Sequence, residues 1–312
     1  MTRLPTDLAA LRAGGKAALA RCLSALETDA ADPTLIGLLD AAFEAPGGLV
    51  LGLTGPPGVG KSTLTNAMIA RLRARGLSVG VIAVDPSSRK TGGALLGDRT
   101  RIETDPEDMG VFVRSMAARK RLGGLADLTY PAAILMRALF DWVIVETVGV
   151  GQSETEIADC ADLVVFCAQP GSGDALQFMK AGVMEMPDVV LVTKGDMGAP
   201  ARRAAADVRG ALSLAAEEGE PAAVAILSSA TGEGVEEALD LIAARAPRGG
   251  VGEARHRARA RAWAESRLVE SFGAVGAAVL APRIDRYPTP FSAVSALTES
   301  ARTAVHESLK NI

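Results

Sequence analysis

Apolar positions along the chain recur in two rhythms. Short runs of aliphatic and β-branched residues fall near 49–54, 79–84, 111–114, 142–146, 162–168, 188–193 and 223–228, and each reads as a strand. Stretches with helical spacing fill most of the intervals. That alternation predicts a parallel sheet covered by helices on both faces, whose ligand belongs at the carboxyl ends of the strands. Three helices precede this core. They run from Asp7 to Ala13, from Lys16 to Glu27 after a Gly14-Gly15 break, and onward from Asp32, an N-cap followed by Pro33 at the first helical position. Beyond Gly249-Gly250, the segments Arg255 to Val269 and Phe272 to Leu280 read as helical. A stretch broken by Pro282, Pro288 and Pro290 then leads to a last helix near Ser292 to Leu309.

The first strand runs directly into Gly55-Pro-Pro57-Gly58-Val59-Gly60-Lys61-Ser62-Thr63, which satisfies GxxxxGK[S/T] at every fixed position. Each residue type has a physical reason. The glycines let backbone N–H groups curl around phosphate oxygens, Lys61 reaches the β/γ phosphates, and the Ser62 hydroxyl ligates Mg²⁺. The helix expected from Lys61 to Arg75 points its positive end at the anion. The fold class is therefore α/β, a P-loop NTPase with a mostly parallel sheet and helical extensions at both ends. The expected division is an N-terminal helical extension over 1–46, the P-loop core over 47–248 and a C-terminal helical extension over 249–312.

Composition narrows the reading little further. The 312 residues are 48% hydrophobic and 22% charged with a formal net charge of −4, ordinary for a packed globular protein and without an overall electrostatic case for nucleic acid or an anionic membrane. The apolar runs are far too short for a membrane span, and the reading is a cytoplasmic protein without a signal peptide. Cys22, Cys160 and Cys167 form no CxxC pair and are expected as buried, reduced thiols. The only histidines, His256 and His306, are expected at the surface. The arginines at 255, 257, 259 and 261 are spaced so as to wrap around a solvated helix rather than form a nucleic-acid stripe.

Further motifs choose the nucleotide. Strand 142–146 ends in Glu146-Thr-Val-Gly149, the place for a carboxylate that holds Mg²⁺ or its water and for a glycine N–H at the γ-phosphate. Gln152 follows in a phosphate-sensing loop. Thr193-Lys194-Gly195-Asp196 resembles the guanine-reading N/T-K-x-D element. An aspartate accepts hydrogen bonds from guanine N1–H and the exocyclic amine, whereas adenine presents an acceptor at N1, so Asp196 selects GTP. Lys194 lays its stem along the base, and Ser229-Ala230 with Thr231 is assigned to the element closing on guanine O6.

Between these lies Val84-Asp85-Pro-Ser-Ser-Arg-Lys-Thr-Gly-Gly-Ala-Leu-Leu-Gly-Asp98-Arg-Thr-Arg101. Together with ETVGVGQSE at 146–154 and PGSGDALQFMK at 170–180, it resembles the MeaB/ArgK/MMAA family of G proteins across nearly the whole chain. The resemblance implies a GTPase, binding GTP/GDP and Mg²⁺, that acts as chaperone for an adenosylcobalamin-dependent acyl-CoA mutase. It implies Asp85, Asp98 and Glu146 as the acidic set around Mg²⁺ and the attacking water, Gly149 to Gln152 as the γ-phosphate sensor, and Pro170 to Lys180 as a relay to the partner. The chain departs from the family at Thr193, where an asparagine amide usually braces the P-loop, and at Lys180-Ala181, where relatives carry two lysines. Its Pro-broken tail differs from the arm through which relatives dimerise, so a homodimer stays open. The alternatives are a nickel or zinc metallochaperone GTPase, which needs a Cys/His cluster, a P-loop kinase acting on a small molecule or protein, and a non-hydrolysing binding module.

Overall fold

The computed structural model describes residues 3–86, 102, 104–118, 126–147, 156–171, 187–215, 221–247 and 249–310. Among the described residues seven strands form one sheet: β1 (Leu49–Thr54), β2 (Val79–Pro86), β3 (Val111–Ala118), β4 (Trp142–Thr147), β5 (Leu163–Ala168), β6 (Val189–Val192) and β7 (Ala223–Ile226). Their order is β3-β2-β4-β1-β5-β6-β7, and every pairing is parallel. The strand carboxyl ends therefore share one edge of the sheet, and the loops that follow β1, β6 and β7 gather there. β3 is four residues longer than its apolar run suggests, because Ser115 to Ala118 also pair with β2 through backbone bonds that do not depend on side-chain hydropathy.

The helices are α1 (Leu8–Thr28), α2 (Pro33–Glu44), α3 (Lys61–Ala74), α4 (Ala126–Arg137), α5 (Ala199–Ala215), α6 (Val235–Arg245), α7 (Gly249–Leu280) and α8 (Pro290–Lys310). Asp32 caps α2 as the sequence suggests, and Asp7, expected as the first residue of its helix, caps α1 instead. The Asp7 carboxylate accepts from the Ala10 N–H at 2.8 Å, and that of Asp32 accepts from Thr34 and Leu35 at 2.7 and 3.1 Å. The Gly14-Gly15 break appears as a kink inside α1, with Gly15 at φ 53°, and Gly273 kinks α7 at φ 70°.

Both faces of the sheet are covered, which is why its central strands are apolar throughout. Leu51, Leu53, Val81, Ile144, Val165 and Leu191 point at the layer containing α3 and α6. Val50, Ile82, Val143, Val145 and Val164 point at the layer built from α1, α2, α4, α7 and α8. The N- and C-terminal helices share one aromatic centre in that second layer. Trp263 of α7 lies 4.8 Å from Phe291 of α8 and 5.9 Å from Tyr130 of α4, and Phe43 of α2 lies 6.2 Å from Phe291.

One expectation fails in this layer. His256 is buried, stacked on Phe43 with ring centroids 4.3 Å apart, and its Nε2 lies 3.2 Å from the Phe43 carbonyl. Burial and the neighbouring Arg137 push its pKa down to about 4, so the ring is neutral. Arg259 is also largely buried. It and Arg137 both pair with the buried Asp162, whereas Arg255, Arg257 and Arg261 are well exposed, as a solvated helix requires. His306 is exposed, and the three cysteines are buried and free. Among the described residues no helix is long and apolar enough to cross a membrane.

Candidate functional site

The loop after β1 owes its shape to glycines. Gly55 adopts φ 139° and lies against β5, where a Cβ would stand 2.4 Å from the Cys167 carbonyl oxygen. Gly58 and Gly60 take φ 75° and 98°, conformations that side chains rarely adopt. Pro57 and Gly58 are exposed at the crest, and Val59 is buried beneath it. α3 starts at Lys61, whose Nζ donates to the Gly55 and Pro56 carbonyls at 2.7 and 3.1 Å. The lysine thus lies over the same loop whose N–H groups open the helix. Thr63, on the next position, is exposed. Behind the loop, burial raises the Cys167 thiol to about 12, so it stays protonated and takes no part as a nucleophile.

The carboxylate of Glu146, near the end of β4, sits beside the first turn of α3. Ser62 Oγ donates to Glu146 Oε1 at 2.7 Å, and Thr65 Oγ1 donates to Oε2 at 2.8 Å. Ser62 and Thr65 are three residues apart on a helix and so share a face, which aims both hydroxyls at one strand end. Thr65 is completely buried and Glu146 nearly so. A further hydroxyl pair, Thr147 to Thr54 at 3.0 Å, ties the ends of β4 and β1 together. Ser62 keeps lone pairs after donating its proton, so it and the carboxylate remain a hard-oxygen donor set suited to Mg²⁺. Asp85 is placed at the end of β2, in register with Ala117 of β3. Asp98, Gly149, Gln152 and the segment 172–186 with Lys180-Ala181 lie outside the described residues.

The second half of the site follows β6 and β7. Thr193 is buried, and its Oγ1 lies 2.8 Å from the Val59 carbonyl of the P-loop and 3.0 Å from that of Ala168. The loss of bracing expected at this position does not occur, because the shorter hydroxyl reaches the P-loop backbone itself. Lys194 sits at φ 56°, the only non-glycine with positive φ among the described residues, and spans to Gln169 Oε1 at 2.5 Å and to the Gly58 carbonyl at 3.4 Å. That conformation costs roughly 1–2 kcal/mol, and it turns the following Gly195-Asp196 outward. Gly195 is pinned by donating to the Leu227 carbonyl at 2.8 Å.

Asp196 is exposed, with one oxygen anchored by Ser228 Oγ at 2.6 Å. The residue that orients this carboxylate is thus Ser228, which is buried, and not the neighbouring Ser229. Ser228 Oγ also accepts from the Thr231 N–H at 3.3 Å and so organises the turn carrying Ser229 and Ala230. Sequence reasoning missed Thr65 and Ser228. The first was signalled by hydroxyls three apart on α3, and the second was hidden by two adjacent serines.

The structure thus gathers a glycine-rich loop with a lysine over it, a hydroxyl and carboxylate pair beside it and an exposed, oriented carboxylate along one edge of the sheet. A protein of Pyrococcus horikoshii is 46% identical over 188 residues, covering 60% of this chain and 59% of its own length. GTPase ArgK of Escherichia coli is 41% identical over 62% of this chain and 60% of its own, and the mitochondrial methylmalonic aciduria type A homolog of Mus musculus is 42% identical over 61% and 47%. The matched region thus spans less than two thirds of these curated relatives. A solved structure described as a LAO/AO transport system kinase superposes with TM-score 0.64 at 26% identity, covering 95% of this chain and 96% of the other. The nickel complex of HypB from Helicobacter pylori shares the fold, with TM-score 0.50 at 17% identity. The profile of the family described as methylmalonyl Co-A mutase-associated GTPase MeaB matches residues 19–275, and the chain belongs to that family.

Proposed function

We propose that this chain binds GTP with Mg²⁺ and hydrolyses it to GDP and phosphate, and that it does so as a chaperone of an adenosylcobalamin-dependent acyl-CoA mutase. The observation that carries the hydrolytic reading is the joint placement of Lys61 over the P-loop and of Ser62, Thr65 and Glu146 at its side. Lys61 exchanges its carbonyl bonds for β/γ phosphate oxygens, and the loop N–H groups hold the rest of the triphosphate. Ser62 and Glu146 hold Mg²⁺, with Asp85 and Asp98 assigned to the same acidic set; the ion supplies charge neutralisation on the phosphates. Thr65 fixes the Glu146 rotamer. Asp196, oriented by Ser228, accepts from guanine N1–H and the amine, and Lys194 lies along the base. Gly149 and Gln152 are assigned to sensing the γ-phosphate. Phosphoryl transfer requires positioning and charge stabilisation above all, so intrinsic turnover is slow until a partner orders the surrounding loops.

The mutase assignment rests on the family description. The metallochaperone reading has no such family description behind it, since the likeness to HypB at 17% identity is one of fold alone. Steady-state phosphate release from GTP and ATP, measured with and without purified adenosylcobalamin-dependent acyl-CoA mutases, tests both levels. GTP turnover that one mutase accelerates is the expected result. Slow GTP turnover unchanged by every mutase overturns the partner, and phosphate passed to an acceptor other than water overturns the hydrolase.

A further inference from the structure

The end of β5 holds the segment that carries Asp196 at two successive residues. The Ala168 carbonyl accepts from the Thr193 N–H at 2.8 Å and from Thr193 Oγ1 at 3.0 Å. One residue further, Gln169 Oε1 accepts from Lys194 Nζ at 2.5 Å. The first contact continues the parallel register in which Ala168 lies beside Val192, so backbone pairing accounts for it. The second does not follow from the sheet. It joins two side chains beyond the last ladder position, where Gln169 is half-buried and Lys194 exposed.

An exposed lysine has little reason to keep one orientation. Its ammonium is strongly hydrated, and fixing its side chain costs up to about 2 kcal/mol of rotamer entropy. Among the described residues Lys194 has two anchors. The Gly58 carbonyl at the crest of the P-loop lies 3.4 Å away, close to the limit of a hydrogen bond, whereas the Gln169 amide oxygen is in close contact. Gln169 therefore does most to set the direction of the lysine stem. The backbone of Lys194, at φ 56°, turns Asp196 outward while its side chain runs back to β5 and the P-loop. The stem thus spans from the segment bearing Asp196 to the loop that cradles phosphates, which is the course a base joined to those phosphates must take.

We propose that Gln169 is a positioning residue of the guanine site: it holds the Lys194 stem in place as one wall of the base slot, so that an arriving nucleotide meets a lysine already ordered. The proposal rests on the reading of Thr193 to Asp196 as the guanine-reading element. Because the contact lies on the base side and not at the γ-phosphate, it acts on binding rather than on the chemical step, and GDP and GTP gain from it alike.

A double-mutant cycle tests this. Dissociation constants for GDP and for a non-hydrolysable GTP analogue, with kcat and KM for GTP, are measured in the native chain, Gln169→Met, Lys194→Ala and the double variant. Methionine keeps the length of the side chain and replaces the amide oxygen with a poor acceptor. Gln169→Met should weaken both nucleotides by the same factor, roughly three- to tenfold, and the loss should appear in KM rather than in kcat. In the Lys194→Ala background the same substitution should cost nothing further. Native affinity in Gln169→Met, a loss that falls on kcat, or an equal loss with and without Lys194 overturns the role of Gln169 and leaves the guanine site standing. A native chain that binds neither guanine nucleotide overturns both.

Discussion

The two ends of the sheet each hold a buried carboxylate, and they hold it differently. At the carboxyl ends of the strands, Glu146 is gripped by the hydroxyls of Ser62 and Thr65. At the amino ends, Asp162 is gripped by the guanidinium groups of Arg137 and Arg259. A hydroxyl that donates its proton still has lone pairs, so the first site can add a cation; a guanidinium accepts nothing, so the second offers a cation no further ligand. The chain places the metal-ready carboxylate beside the P-loop and uses the charge-saturated one to join α4, β5 and α7. Burial alone does not mark a functional acid, and the nature of its partners does.

The largest expected effect breaks the second arrangement. Asp162→Asn leaves two buried guanidinium groups without a carboxylate and should cost about 3–5 kcal/mol of stability in chemical denaturation. Because the site lies at the other end of the sheet, the folded variant should keep its nucleotide affinity. At the first end, Lys61→Ala removes the cation over the loop and should lower GTP turnover roughly 10²–10³-fold with little change in melting temperature.

A pH series sharpens the contrast. The folded pKa of His256, about 4, lies below the ordinary value of 6.5, so the unfolded chain takes up its proton first as the solution is acidified. Its stabilising contribution is complete above pH 6.5 and is lost as pH falls towards 4, by about 3 kcal/mol at most. His256→Gln should flatten that part of the stability profile. The smallest effect is Thr65→Val, which removes one hydroxyl bond to Glu146 and should weaken Mg²⁺-dependent nucleotide binding about tenfold, with Thr65→Ser restoring it. A Thr65→Val protein with unchanged Mg²⁺ dependence would leave Thr65 a mere core residue.

The contiguous parts of the molecule were legible in the sequence. The P-loop is one segment whose glycines, lysine and serine have fixed offsets, and the parallel sheet follows from apolar runs alternating with helices. Residues that matter through contacts between distant segments were less visible. Thr65 reads as a core position of α3 until β4 brings Glu146 to it. Ser228 and Ser229 cannot be told apart until the Leu227 carbonyl pins Gly195. His256 sits in an arginine-rich run that suggests solvent, although with Ala260, Trp263 and Ala264 it occupies one stripe at helical spacing, and that stripe faces the core. Thr193 shows the converse: a departure from the usual residue whose hydroxyl still braces the P-loop.

The central claim is that Asp196, held by Ser228, reads guanine for a hydrolytic P-loop site. It is tested most directly by comparing kcat/KM for GTP and xanthosine triphosphate in the native chain and in Asp196→Asn. The account predicts that the variant loses roughly a hundredfold on GTP and prefers xanthosine triphosphate, whose carbonyl accepts from the new amide. An Asp196→Asn protein that still prefers GTP as strongly as the native chain would contradict it.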